Sequence, residues 1–401
     1  MHNRTLFALL TLACLPAAAQ PQLTTVATGL NNPRGLTFGP GGRLYVAEAG
    51  LGAGNGSGGA AEGVGYTGSI SEIQGVQSGH PTLRRIVTGL PSSAFDPEDV
   101  VGPDGISALG NGDIFAIMAF SASGIGSEHP GEFISPALAA QFGQLLKISQ
   151  SGNWKKDADV GDFSYAWTSQ HQNDPWAPEG QFPDANPYAV LALPGREYVI
   201  DAGANTLNEV RPDGSVRIIA FFPNPQLPAV PGGPPAITIS DAVPTCVGLG
   251  PDGRLYVGTL AFGANFARFD STAPPFWATL PPQSKIYRVD PNRTNIFLTE
   301  ADVWAAGLNP ITGCGFAPGG FYATEFITQA SGYNTGDVVR IAMNSDGSAG
   351  ARSELGAGAL VLPNGFAAGP DGSIYVSNFS VFPGIPQNPG DPVGEVVRVN
   401  H

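Results

Sequence analysis

Three carboxylates and one amide recur at a single place in the pattern of this chain. Glu48, Asp201, Glu325 and Asn378 each stand three residues after an aromatic side chain (Tyr45, Tyr198, Tyr322 and Tyr375) and close a short apolar run. Two further runs place Met118 and Thr259 there, three residues after Phe115 and Tyr256. A residue so placed ends its strand and points toward the mouth of whatever the repeated runs enclose. Oxygen donors of this kind suit one hard divalent cation, Ca²⁺ or Mg²⁺, which makes Glu48, Asp201, Glu325 and Asn378 candidate metal ligands. The same side chains can instead accept backbone N–H groups between strands, a role that needs no ion. A second set opens the apolar run that precedes each aromatic. Arg34, Asn186, Thr245, Thr312 and Asn364 are candidates to hold a ligand by hydrogen bonds.

Other chemistries find less support. His80, His129, His171 and His401 all fall outside the repeated runs, no Gly-x-Ser-x-Gly is present, and neither Cys246 nor Cys314 has a nucleophile's context. No catalytic residue is assigned. With 55 glycines, Gly-x-Gly patterns carry no phosphate-loop meaning. Cys246 and Cys314 sit on equivalent runs of adjacent units, offset by one residue when their turns are aligned. That offset puts them on opposite sides of their own sheets, as a bridge between two sheets packed face to face requires, and a disulfide is expected.

The elements that position these residues repeat six times. One unit is a short apolar strand, a tight Gly/Pro turn, and a second apolar strand carrying the aromatic. It reads PRGLTFGPGGRLYVAE at 33–48, DGISALGNGDIFAIM at 104–118, NPYAVLALPGREYVID at 186–201, PTCVGLGPDGRLYVGT at 244–259, TGCGFAPGGFYATE at 312–325 and NGFAAGPDGSIYVSN at 364–378. Pro supplies a fixed φ and Gly a positive one at each turn. Most units are followed by two more strand signals, such as SISEIQGV (69–76) with TLRRIVTGL (82–90), and KIYRVDPNRTNIFLT (285–299). Four antiparallel strands repeated six times make an all-β, six-bladed β-propeller. The sixth unit is one strand short. LTTVATGL at 23–30 resembles LRRIVTGL at 83–90, so the N-terminal strand is expected to close the last blade and remove a free edge.

The chain opens on Arg4, ten apolar residues from Leu6 to Leu15, and Ala17-Ala18-Ala19. This reads as a cleavable secretory signal over residues 1–19, ahead of a single domain over 20–401. Thr11 stands where a lipobox would want Leu before Cys14, against lipidation. A secreted or periplasmic location follows, with no membrane insertion. The net charge of −14 at pH 7 offers no counterion-release surface, which excludes nucleic acid as a partner.

At these residues the sequence resembles the ScyD/ScyE family of exported propellers, named from a cyanobacterial scytonemin cluster. The matching segments are ATGLNNPRGLTFGPGGRLYVAEAG, GQLLKI, DANPYAVLAL, DAGANTLNEV and GLNPITGCGFAPGGFYATEF, spread over nearly the whole mature chain. More distantly the units look like NHL repeats and gluconolactonase-type propellers. The resemblance implies fold and export, and carries over no catalytic position. Gluconolactonase-like propellers bind one divalent ion with a similar Glu/Asn/Asp set, which implies Ca²⁺ or Mg²⁺ as the cofactor to look for.

A propeller sorts its loops onto two faces. Turns between strands one and two, and three and four, share one face, and here they are tight: GPGG, GNGD, GPDG, APGG, RPDG, DPNR and NSDG. The other face receives the long segments 49–66, 120–141, 150–185, 222–243, 259–283 and 326–336, which hold Trp154, Trp167, Trp176, Trp277, His129 and His171. Long loops on a rigid scaffold carry binding or catalysis. The expectation is a monomeric binding or scaffolding protein taking a small molecule, polysaccharide or protein ligand on its loop-rich face. The alternative is a divalent-metal-dependent hydrolase or lyase of a small ester or lactone.

Overall fold

A computed structural model describes residues 23–54, 59–96, 99–128, 134–174, 183–225, 241–269, 277–329, 334–382 and 393–400. Residues 1–19, read above as a secretory signal, lie outside the described residues, as do His129, Trp176, His401 and the side chain of Trp277.

Each repeat folds into one small antiparallel sheet, and six sheets stand around an axis as a six-bladed propeller. Blade 1 is Pro33–Gly39, Arg43–Glu48, Gly63–Gln74 and Thr82–Asp96, with Asp99–Val101 added at its outer edge. The innermost strands of blades 2 to 6 are Pro103–Ala108, Pro187–Leu193, Pro244–Leu249, Ile311–Ala317 and Phe366–Ala368. Leu23–Leu30 pairs antiparallel with Gly394–Val399, from Leu23 opposite Val399 to Leu30 opposite Gly394. The N-terminal strand thus completes blade 6, and the ring is closed by hydrogen bonds between the two ends of the chain.

The repeated aromatic explains how flat sheets become a ring. Tyr45 is fully buried and packs on Ile106 and Ile114 of blade 2. Phe115 meets Val190 and Val199 of blade 3, and Tyr198 meets Val247 and Val257 of blade 4. Tyr256 meets Phe321, Tyr322 meets Ile374, and Tyr375 returns to Leu36 and Val46 of blade 1. The core is therefore six seams, each keyed by one aromatic from the preceding blade. Edge-on ring pairs support them, as with Phe38 and Tyr375 at 5.0 Å, each such pair worth about 1 kcal/mol beyond its buried area. In the seam between blades 4 and 5, Cys246 and Cys314 are bonded, with S–S 2.02 Å and Cα atoms 5.6 Å apart.

Two segments differ from the sequence expectation. Residues 150–185 were expected to be loop, but Trp154–Asp159 is the outer strand of blade 2 and Val160–His171 is a helix. WKKDAD has no apolar alternation because an outermost strand is solvated, so nothing in its pattern marked it. Asp159 starts the helix by accepting the Asp162 amide at 3.0 Å. The second difference is in blade 4, whose outer strand is Val303–Leu308 rather than the run around Ile296. Ile296–Phe297 instead pairs parallel with the outer strand of blade 3, Ala220 opposite Ile296, where Ile296 packs into the seam. The apolar Ile-Phe pair covers a neighbour's edge, so DPNR does not close a hairpin. No helix among the described residues is long and apolar enough to cross a membrane.

Candidate functional site

The residues that end the second strands are held tightly, and Glu48, Asp201, Glu325 and Asn378 each accept at least one backbone amide. Glu48 is fully buried; its Oε2 accepts the Asn31 amide at 2.7 Å, and its carboxylate also takes Arg85 (2.6 and 3.0 Å) and the Ser71 hydroxyl (2.5 Å). Asp201 Oδ1 accepts the amides of Asn186 at 2.8 Å and Ala204 at 2.9 Å. Glu325 accepts the Asn309 amide at 2.7 Å and its side-chain Nδ2 at 3.0 Å. Asn378 Oδ1 accepts the Val361 amide at 2.7 Å, while its Nδ2 donates to Glu395 at 2.8 Å. Each oxygen thereby ties the chain entering a blade to the end of that blade's second strand. The bonds to the three carboxylates are charge-assisted, the costly ones to lose. Met118 is an apolar residue of the seam between blades 1 and 2, and Thr259 exchanges hydrogen bonds with the Lys285 backbone.

The three acids among the expected cation ligands, Glu48, Asp201 and Glu325, are not gathered into one group. With Asn378 they stand on blades 1, 3, 5 and 6 and are each spent at their own blade. Among the described residues no three His, Cys, Asp or Glu side chains group so as to hold a metal ion. Two carboxylate oxygens here are buried without a hydrogen bond, Asp201 Oδ2 and Asp337 Oδ1. Burial pushes Asp201 up to about 6. Asp337, beside Glu325, is raised further by burial and by that second carboxylate.

Five side chains were expected to open the innermost strands, and the structure sets four of them on one rung around the axis. Arg34, Thr245, Thr312 and Asn364 follow Pro33, Pro244, Ile311 and Pro363. Register shows why: Pro33, Pro103, Pro187, Pro244 and Ile311 lie opposite Glu48, Met118, Asp201, Thr259 and Glu325. On the same rung blades 2 and 3 contribute Asp104 and Tyr188. Asn186 is not on it. Its amide caps Asp201, and its Oδ1 accepts Phe120 N at 3.4 Å. Aligning on Pro-x rather than on the turns would have found Asp104 and Tyr188 in the sequence, as in Pro33-Arg34-Gly35, Pro103-Asp104-Gly105, Pro187-Tyr188-Ala189 and Pro363-Asn364-Gly365.

The rung is polar and almost closed to solvent. Arg34 Nη2 donates to Val100 O at 2.5 Å, and Arg34 Nε lies 3.8 Å from Asp104 Oδ1. Asp104 is 1 % exposed, and neither of its carboxylate oxygens accepts a hydrogen bond. Burial pushes it up to about 7, against the pull of the Arg34 guanidinium. Asn364 Nδ2 donates to the Tyr188 hydroxyl at 2.5 Å, linking blade 6 to blade 3, the blade opposite in a ring of six. Thr245 donates to Ile311 O at 2.6 Å and Thr312 to Pro363 O at 3.0 Å, each tying its strand to the next blade.

The two faces differ as expected from the loops. On one face Leu109, Gly250 and Gly369 close tight turns by donating to Asp113, Arg254 and Ser373. On the other, the segments between blades and between second and third strands carry the short helices Ile125–Glu128, Pro136–Ala139 and Ala264–Ala267 and the longer Val160–His171. Trp167 of that last helix packs on Phe221 at 5.7 Å and on His171 at 4.6 Å, so it fastens an insertion to blade 3. Trp154 lies on the outer strand of blade 2 and is 38 % exposed. Asn205 adopts φ 54° and clamps Asp241 and the Val243 amide, a turn role.

Comparison with solved structures places the chain among propellers. An oxidoreductase of the glucose dehydrogenase type from Thermus thermophilus superposes with TM-score 0.51 at 16 % identity, over 94 % of this chain and 98 % of that one. The PQQ-bound aldose sugar dehydrogenase of Streptomyces coelicolor gives 0.50 at 15 %, over 95 % and 98 %. At such identities the likeness is one of fold. No protein-family model matches the chain, and no curated protein matches it significantly.

Proposed function

We propose that this is an exported propeller of the ScyD/ScyE type that binds a small molecule, polysaccharide or protein on its loop-rich face, with its recurring acids serving as structural clamps. The observation that supports this most is the one-sided build: tight hairpins on one face, helices and long links on the other. A rigid ring bearing adaptable segments on one side is a scaffold for recognition. The residues at the ends of the second strands are consumed by the amides of Asn31, Asn186, Asn309 and Val361, which leaves the chemistry of recognition to the loops.

A second reading has one observation in its favour. Asp201 Oδ2 and Asp337 Oδ1 are buried without hydrogen bonds, and a divalent cation held near either would serve a hydrolase or lyase acting on a small ester or lactone. Calorimetric titration of the EDTA-stripped mature protein with Ca²⁺ and Mg²⁺ separates the two, run beside Glu325→Ala. The clamp reading expects no saturable heat from either ion, and a mutant that folds but is less stable by about 1–3 kcal/mol. Tight one-site binding that disappears in Glu325→Ala would replace it with the metal-dependent reading.

A further inference from the structure

We propose that the cleft between blades 2 and 3 on the hairpin face binds a small primary amine, its ammonium group held between Glu197 and Asp157. The repeat is broken twice at this place. In five blades the residue before the aromatic is a fully buried apolar one: Leu44, Ile114, Leu255, Phe321 or Ile374. Each lies in the seam with the aromatic of the preceding blade. In blade 3 that residue is Glu197, and the aromatic of the preceding blade is Phe115, which alone among the six is not a tyrosine.

A cavity of about 640 Å³ opens there, between the turns at 109–113 and 194–195 and Pro212. At about 30 Å³ of liquid volume per water, it has room for roughly twenty heavy atoms. Leu109, Phe115, Pro194 and Pro212 give it apolar walls. Blade 2 sets Phe115, Lys147 and Lys155 opposite one another on its second, third and outer strands. Lys147 Nζ lies 5.4 Å from the centre of the Phe115 ring and 2.8 Å from Asp113 Oδ2, so its charge is already taken.

Glu197 selects the ligand by what it leaves unmet. It is 6 % exposed and lines the cavity, and among the described residues it makes no hydrogen bond or ion pair. Its carboxylate oxygens are not among those fully closed to solvent, so a molecule in the cavity reaches them. Buried polar groups in native proteins are normally satisfied. The other charged groups lining the cavity are Asp113, Lys147, Lys155 and Asp157, all on blade 2. Burial and the charge of Asp157 raise Glu197 to about 7, against the pull of Lys147. An ammonium group between Glu197 and Asp157 relieves that repulsion through charge-assisted hydrogen bonds, while an attached ring packs on the apolar walls. An anion would meet the same two carboxylates as like charges. The acids here do not group so as to hold a metal ion.

The test is calorimetry of the mature protein with 2-phenylethylamine at pH 6, in two buffers of different ionisation enthalpy, with 3-phenylpropionate as the anionic counterpart. The variants are Glu197→Gln, Asp157→Asn and Glu197→Leu, the last restoring the residue type of the other blades. Saturable binding of the amine with release of about one proton, weakened at least ~10-fold in Glu197→Gln, supports the site. Glu197→Leu is expected to abolish binding and to raise the unfolding midpoint at pH 8, because the acid serves the ligand and not the seam. No saturable binding of the amine overturns the proposal, as does binding without proton release or binding that folded Glu197→Gln retains. Equal binding of 3-phenylpropionate overturns it too, since the lysines would then be the recognising groups. A lowered midpoint in Glu197→Leu makes the acid a part of the seam and has the same consequence. If the Glu197 variants fail to fold, Asp157→Asn decides, by weakened or unchanged binding. The loop-rich face takes no part in these variants, so the outcome is independent of the function proposed above.

Discussion

At the residue scale, the buried acids of this propeller set its response to pH. Burial raises Asp104 and Asp184 from 3.8 to about 7 and Asp201 to about 6. Buried Glu197 rises from 4.5 to about 7 by the same cause. The folded state keeps these protons to higher pH than the unfolded chain does. Between the unfolded values and about 7 the unfolded state therefore gains stability by releasing them first, and folding stability falls as pH rises through that window. The exposed turn acids Asp213 and Asp346 are shifted the other way by local hydrogen bonds, and withdraw stability only in strong acid. The melting temperature is expected to be highest near about pH 4 and to fall progressively up to about pH 7, with a shallower slope in Asp104→Asn. A melting temperature that rises over that interval would mean these carboxylates are solvated or paired. Sequence showed where such groups cluster but not which of them a partner satisfies. Glu48 and Asp201 occupy the same position in the pattern, yet Glu48 has Arg85 to neutralise it and Asp201 does not.

At the element scale, closure of the ring depends on strands far apart in the chain. Leu23–Leu30 is the only partner of the outer side of Gly394–Val399 among the described strands. Deleting residues 20–30 exposes that edge and removes Leu30 and Ala27 from the seam they fill. The truncated protein is expected to lose several kcal/mol, at about 1.5–3 kcal/mol per buried apolar side chain, and to associate through the open edge. Chemical denaturation and light scattering read both effects, and a truncation with unchanged midpoint and no association would show that closure contributes little. The bridge from Cys246 to Cys314, 68 residues apart, adds a second tie across the seam of blades 4 and 5. In the loop-entropy picture such a tie contributes about 4 kcal/mol by restricting the unfolded chain.

Closure was legible in sequence because LTTVATGL and LRRIVTGL are near copies. The outer strands of blades 2 and 4 were not. WKKDAD faces solvent and carries no apolar period, and Ile296–Phe297 is apolar but serves the neighbouring blade. Strand identity at a sheet edge is decided by tertiary partners, which local pattern does not encode.

At the scale of the whole molecule, the six aromatics and their Gly/Pro turns carry the architecture, because each repeat writes its own seam. The axis was read less well. Anchoring the alignment on turns placed Asn186 at the centre of blade 3, whereas counting from the opening proline places Tyr188 there and adds Asp104. Two residues of register, from Asn186 to Tyr188, together with Asp104, change a ring of amides and hydroxyls into a rung that also holds a buried carboxylate, a guanidinium and a phenol. The molecule therefore has two unlike faces, one built of long segments and short helices and one of tight hairpins around the axial cavity.

The central claim is that the residues ending the second strands hold backbone rather than metal. Hydrogen exchange of the Asn31, Asn186, Asn309 and Val361 amides tests it most directly, measured in EDTA and again with Ca²⁺ or Mg²⁺. The expected result is protection close to that of the core strands in EDTA, unchanged by either ion. Rapid exchange in EDTA that slows sharply when an ion is added would contradict it, and would make Glu48, Asp201, Glu325 and Asn378 parts of a metal site.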